Sequence, residues 1–168
     1  MTTTYGRTRS ALRRWPANVR ARAALETYFD SLPPDPAAER TTASLLNGWA
    51  LDFRGADLSG LDLLGAELSE ANLSGVRVAA VDLYTAWLSD ATLDDADLTG
   101  SDLRKVQGRG CRAPRAVFRD ADMQRAEFDA SNFQEAIRTT TWVEVNAKHL
   151  AIAGSDDRLQ WVTRGFSS

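Results

Sequence analysis

Residues 51–135 read LDFRG-ADLSG-LDLLG-AELSE-ANLSG-VRVAA-VDLYT-AWLSD-ATLDD-ADLTG-SDLRK-VQGRG-CRAPR-AVFRD-ADMQR-AEFDA-SNFQE, an unbroken run of seventeen groups of five. The first place of every group holds a small or apolar residue. The third is Leu, Phe, Val or Met in fifteen of the seventeen, failing only at Gly108 and Ala113, and the second is mostly Asp, Glu or Asn. Hydrophobic residues make up 43% of the chain, too few to fill such a column by chance. The period of five therefore has to be explained before any helix or strand is assigned.

A helix cannot use this period. Five residues advance ~500° around an α-helix, ~140° net, so the Leu column would wander around the cylinder and never form a face. Within one group, however, places one and three lie two apart, which is the strand period, so both point inward while place two points out. An odd repeat breaks that alternation at each boundary. Places four and five must restore the phase by turning a corner, and there the chain carries SG, LG, TG, DD and SE, which are turn residues. Each group is thus a very short strand plus a corner, and successive turns of chain stack at ~4.8 Å with each Leu buried against the next.

ADLSG at 56–60, ANLSG at 71–75 and ADLTG at 96–100 resemble the A(D/N)Lxx signature of the pentapeptide-repeat family. The resemblance covers roughly half the chain. It implies an all-β fold, a right-handed quadrilateral parallel β-helix in which four groups make one square coil. About four coils are then expected, a rod of only ~20 Å, with a helical N-terminal cap and a C-terminal cap.

The flanks read differently. Leu25, Tyr28, Phe29 and Leu32 recur at helical spacing and predict an amphipathic helix. Asp35-Pro36 reads as an N-cap followed by Pro at the first helical position, predicting a second helix from about Pro36 to Leu46. Residues 1–14 are expected to be a basic disordered tail and 15–50 a helical cap for the open end of the solenoid. A partner-binding or dimerising helix is the alternative. After Glu135 the pattern is expected to stop, because Arg138 would take an inward place. Residues 136–168, rich in apolar side chains from Trp142 to Phe166, are expected to cap the other end or to form a homodimer interface.

Bulk properties bound the function. The chain has 168 residues, a net charge of −3 and one cysteine, Cys111, so no internal disulfide can form and a reducing cytoplasm is the expected setting. No apolar stretch approaches a membrane span. The one histidine, His149, has no nucleophile or metal-ligand motif around it. Neither an enzyme, a cofactor nor a metal site is expected, and no direct contact with nucleic acid.

Candidate binding residues come from winding the chain with a period of twenty. Asp62, Asp82, Asp102 and Asp122 then form an outward ladder. It reads either as a recognition face or as carboxylates that accept bonds from the corner N–H groups. Leu64 and Tyr84 fall in one outward place, with Trp87 on the next face, and read as an apolar contact site or as a surface covered by a terminal segment. Residues 51–103 carry a net charge of −9 and residues 104–125 one of +5, an acidic barrel against a basic collar. The collar, VQGRGCRAPR, either stays in the coil with Cys111 inward or leaves it as a loop presenting Arg109, Arg112 and Arg115.

Two functions follow. One is a non-catalytic adaptor or immunity-like protein that binds a protein partner through its surface. The other comes from the resemblance, since the family includes proteins that mimic duplex DNA and protect DNA gyrase, a type II topoisomerase, from quinolones or toxins. Duplex DNA carries a charge every ~1.7 Å, and the acidic segment matches that density over a much shorter length.

Overall fold

The computed structural model describes residues 4–138 and the backbone of residues 145–146. From Asn47 to Asn132 each backbone bridge is parallel and joins residues twenty apart, at the second place of every group. Asp62 pairs with Asp82, Asp82 with Asp102 and Asp102 with Asp122 along one side, while Glu67–Trp87–Gln107–Glu127, Asp52–Asn72–Thr92–Arg112 and Asp57–Arg77–Asp97–Val117 line the other three. The chain is a four-sided parallel solenoid. The pairing repeats in detail: Leu63 donates to the Asp82 carbonyl at 2.9 Å, and Asp82 donates to the Leu61 carbonyl at 3.0 Å.

Every fifth place from Ala50 to Glu135 has positive φ, and at twelve of these the residue is not glycine. Such a residue pays for its left-handed conformation, and the array tolerates it because the ladder bonds on either side hold each corner. The inward places are dry. Leu58, Leu63, Leu68, Leu73, Leu83, Leu88, Leu93, Leu98 and Leu103 are buried along with the first-place residues from Ala56 to Ser131. Burying one leucine stabilises by about 2 kcal/mol. Two first-place serines are satisfied from the coil below, Ser101 Oγ donating to the Val78 carbonyl and Ser131 Oγ to that of Gly108.

Residues 106–115 stay in the coil. Gln107 bridges Trp87, Arg112 bridges Thr92, and Cys111 and Ala113 are buried. The failure of the inward column at Gly108 is repaired from above. A Cβ on Gly108 would lie 2.3 Å from Cε1 of Phe128, so the ring of the next turn occupies the missing side chain's space. Phe128 packs edge-on against Phe133, which also meets Phe118. The same device operates at Gly48, where Phe53 and Leu68 fill the space.

Backbone pairing runs slightly past Glu135 and then loses its regular spacing, from twenty residues at Val117–Ile137 to nineteen at Ala126–Val145. Strand β1 (Val117–Phe118) pairs in parallel with β3 (Ile137–Arg138), and β2 (Ala126–Glu127) with β4 (Val145–Asn146). The backbone ladder therefore continues through Arg138. The proposed C-terminal cap or dimer interface, with His149, falls largely outside the described residues.

A stacked coil leaves its first turn with unpaired backbone groups, and an open edge of that kind invites aggregation. Here the edge is closed group by group. The N–H groups of Asp57, Asp62, Glu67 and Asn72 donate to the carbonyls of Arg14, Gly6, Leu46 and Leu51, at 3.0, 2.9, 2.8 and 2.9 Å. Their carbonyls accept from Arg14 N–H, the Tyr28 hydroxyl, Gly48 N–H and Phe53 N–H. Residues 4–14 are thus not a disordered tail: Gly6 bridges Leu61 and Arg14 bridges Asp57, supplying the two sides that residues 46–53 do not reach.

Helix α1 (Val19–Ser31) starts at Asn18, whose Oδ1 accepts from the N–H groups of Arg20 and Ala21. It buries Ala21, Leu25, Tyr28 and Phe29 in the same core as the solenoid. The second helix expected from Pro36 to Leu46 does not form. Asp35 caps a single turn, accepting from Ala37 N–H at 2.8 Å, and within residues 36–46 the only helical piece is the three-residue turn Thr42–Ser44. Arg40-Thr41-Thr42 offers no apolar stripe to hold a longer helix against the core.

Candidate protein-interaction surface

The aspartate ladder forms, and its carboxylates are used locally. Each Oδ1 accepts the N–H two residues on: Leu64 to Asp62 at 3.4 Å, Tyr84 to Asp82 at 2.9 Å, Arg104 to Asp102 and Gln124 to Asp122 both at 3.1 Å. The same Asx-type bond recurs on the other sides at Asp52, Asp57, Asn72, Asp97 and Asn132. An Asp or Asn at the second place thus builds its corner on all four sides.

Most of the ladder's charge is also paired. Asp62 meets Arg7 at 3.5 Å and Arg40 more closely. Arg104 chelates Asp102 through Nε at 2.8 Å and Nη2 at 2.5 Å and lies 3.7 Å from Asp122. Asp82 makes no ion pair among the described residues. Burial raises its pKa above the usual carboxylate value, with Asp62 and Asp102 adding to the rise, while the Tyr84 N–H opposes it. Tyr5 lies in the same field, its phenol pushed up by burial and then by Asp82 and Asp102.

The basic collar is interlocked with the acidic barrel and does not stand apart from it. Winding places Arg112 3.0 Å from Asp94 and Arg115 2.7 Å from Asp95. Arg109 is exposed and makes no ion pair among the described residues. Cys111 lies beneath this collar, and burial pushes its thiol pKa up, which leaves it unreactive in the folded chain.

The expected Leu64–Tyr84–Trp87 patch is only partly present. Leu64 is half-buried, and so is Tyr84, whose ring has the Arg104 guanidinium 5.3 Å and the Lys105 ammonium 5.2 Å from its centroid. Neither is a free apolar surface. Trp87 is 50% exposed, and among the described residues the solenoid exposes one further large hydrophobic, Trp49, at 56%. Sequence reading missed Trp49 because it precedes the first regular group. The signal was there: LNGWA, residues 46–50, is a group in the same frame, with glycine in the inward place and Trp49 on the corner.

Asn47 pairs with Glu67 and Glu67 with Trp87, so both tryptophans lie along one edge of the solenoid, two turns apart. Glu67, Glu70 and Asp90 share that edge and make no ion pairs among the described residues. Among the described residues no group of three His, Cys, Asp or Glu side chains is placed to hold a metal ion, and no helix is long and apolar enough to cross a membrane.

Several solved structures are similar to part of this chain. A solved pentapeptide-repeat protein, Rfr23 from the cyanobacterium Cyanothece 51142, is 22% identical with a TM-score of 0.47, over 61% of this chain and 65% of that one. QnrB1, a plasmid-mediated fluoroquinolone resistance protein, is 21% identical with a TM-score of 0.44, over 56% and 58%. A pentapeptide-repeat protein of the Arabidopsis thaliana thylakoid lumen is 26% identical with a TM-score of 0.23, over 53% and 66%. The chain spans less than two thirds of the length of each of these structures. No curated protein matches it significantly. The model for pentapeptide repeats matches residues 51–83, 79–107 and 109–137 with eight copies, just over half of the sequence, and the chain belongs to the pentapeptide-repeat family.

Proposed function

We propose that this protein is a non-catalytic protein-interaction module, acting in the cytoplasm as an adaptor or resistance/immunity-like protein through its solenoid surface. In this reading a right-handed array of about four coils is the rigid platform. The N-terminal segment and α1 cap one end, and the C-terminal segment caps the other or joins two copies. The observation that carries the reading is the exposure of Trp49 and Trp87 along one edge of an otherwise polar rod. Tryptophan is the residue most enriched at the energetic centres of protein interfaces, and exposing two of them on a rigid edge invites a partner.

Mimicry of DNA by the aspartate ladder is the competing function, and the charge pairing weighs against it. Arg7, Arg40 and Arg104 pair with three of the four ladder carboxylates, whereas a DNA substitute needs an unbroken row of negative charge. The test is affinity capture from the native host with wild type, Trp87→Ala and the combined Asp62→Asn/Asp82→Asn/Asp102→Asn variant, run beside a gyrase supercoiling assay. The interaction role expects a partner that the ladder variant retains and Trp87→Ala loses. Protection of gyrase from a quinolone, abolished by the ladder variant, would establish mimicry in its place.

A further inference from the structure

The edge that carries the tryptophans has a definite chemistry. Trp49 sits at a corner of the lowest turn, and Trp87 lies on the adjoining side two turns above, through Asn47, Glu67 and Trp87 in register. Two turns and two residues of offset separate their Cα atoms by roughly 12 Å. Glu67 occupies the intervening turn, Glu70 closes its corner, and Asp90 follows one turn higher at the same corner. Glu70 and Asp90 are exposed and Glu67 is half-buried. Many acids elsewhere on the rod are held by arginines: Asp52 by Arg54, Asp94 by Arg112, Asp95 by Arg115, Asp62 and Asp102 by theirs. Asp82, Glu127 and Glu135 make no ion pair among the described residues but have no exposed indole beside them. Unpaired carboxylates flanking exposed indoles are therefore a local feature of this edge. Arg109, one turn above Ser89, bounds it on the upper side.

We propose that this edge is the docking surface for an extended basic segment of a partner protein, with one arginine or lysine over each indole and ion pairs to Glu67, Glu70 and Asp90. The proposal rests on the interaction role above and specifies its site and partner chemistry. An indole face attracts a guanidinium or ammonium group, and adjacent free carboxylates add complementary charge. An extended chain covers ~3.3 Å per residue and alternates its side chains between two faces, so the ~12 Å between the tryptophans calls for cationic side chains four residues apart.

The test uses the full chain labelled with ¹⁵N and two capped peptides, Gly-Arg-Gly-Gly-Gly-Arg-Gly and its counterpart with Glu for Arg. The tryptophan indole N–H signals are assigned through Trp49→Phe and Trp87→Phe. The Arg peptide is expected to shift the Trp49 and Trp87 signals saturably while leaving Trp15 in place, and the Glu peptide to shift none. Glu67→Gln/Glu70→Gln/Asp90→Asn is expected to weaken binding at least five-fold. Asp52→Asn/Asp94→Asn/Asp95→Asn, which removes three charges from the neighbouring side, is expected to change it less than two-fold. Equal weakening by both sets would mean diffuse attraction and overturn the proposal, as would indole shifts no larger than that of Trp15. Self-association that Trp49→Ala abolishes would assign the edge to a second copy and also overturn it. A partner captured in cells whose binding ignores all of these substitutions would overturn the docking surface and leave the interaction role standing. Capture of no partner would count against the role itself.

Discussion

Gly108→Ala offers a sign test of how the irregular part of the array is packed. The new Cβ would sit 2.3 Å from Cε1 and 2.5 Å from Cδ1 of Phe128, where carbon atoms prefer about 3.5–4 Å. The ring would have to retreat by more than about 1 Å in a close-packed core, and such overpacking costs about 1–3 kcal/mol. The backbone adds nothing to that cost, because Gly108 does not have positive φ. Phe128→Leu restores the leucine found in the regular coils and should itself cost about 1–2 kcal/mol, since it empties part of the space over Gly108. In that background Gly108→Ala no longer meets a ring. It should then stabilise by about 0.4–1 kcal/mol, the gain from restricting the unfolded chain. The two substitutions are therefore coupled by about 2 kcal/mol, far beyond the error of additivity. Thermal melts followed by far-ultraviolet circular dichroism read this directly, at about 2–4 °C per kcal/mol for a chain of this size. Gly108→Ala should lower Tm in the wild type and raise it slightly in Phe128→Leu. The same sign and size in both backgrounds would refute the packing account and favour a collar that leaves the coil.

Three further outcomes follow. Tyr28→Phe removes the only side-chain donor among the groups that close the first turn, so it should lower stability by about 1–2 kcal/mol in the same melts, while Tyr84→Phe should have little effect. Asp82→Asn keeps the acceptor for the Tyr84 N–H but removes a charge disfavoured by burial and by Asp62 and Asp102. Because the folded state raises this pKa, the native chain binds the proton more tightly than the unfolded one, and ionisation costs stability as pH rises through the folded value. The variant should therefore melt above wild type at pH 7, with the gap closing as pH falls through the carboxyl range; a gap independent of pH would contradict the assignment. Cys111, buried and with its thiol pushed up, should resist Ellman's reagent in the native chain and react stoichiometrically in denaturant, whereas rapid native reaction would show that the collar opens.

The solenoid was legible because its signal is redundant. Seventeen groups repeat one inward column, so the breaks at Gly108 and Ala113 could not conceal the frame. Helix α1 was equally open to reading from Leu25, Tyr28 and Phe29. What the period did not show was which side chains reach between turns to pair. Arg112 with Asp94 and Arg115 with Asp95 look like segregated blocks along the chain and become ion pairs only once the coil is wound. Closure of the first edge was hidden for a related reason. Gly6, Arg14 and Tyr28 contribute single backbone or hydroxyl groups, which leave no periodic trace. The aspartate ladder was placed correctly, but its recurrence reflected the corner's need for an acceptor, and the exposed edge at Trp49 and Trp87 was half seen because the frame was begun one group too late.

The claim that the protein works through one edge of its surface can be tested in cells by photocrosslinking. A benzoylphenylalanine would be placed in turn at Ser69, Ser74, Thr99 and Gln124, the corner following each of the four sides, with Tm checked for every variant. The account predicts a specific adduct to a partner protein from Ser69, beside Trp49 and Trp87, and none of comparable yield from the other three. Adducts from all four corners alike, from another corner only, or from none would contradict it.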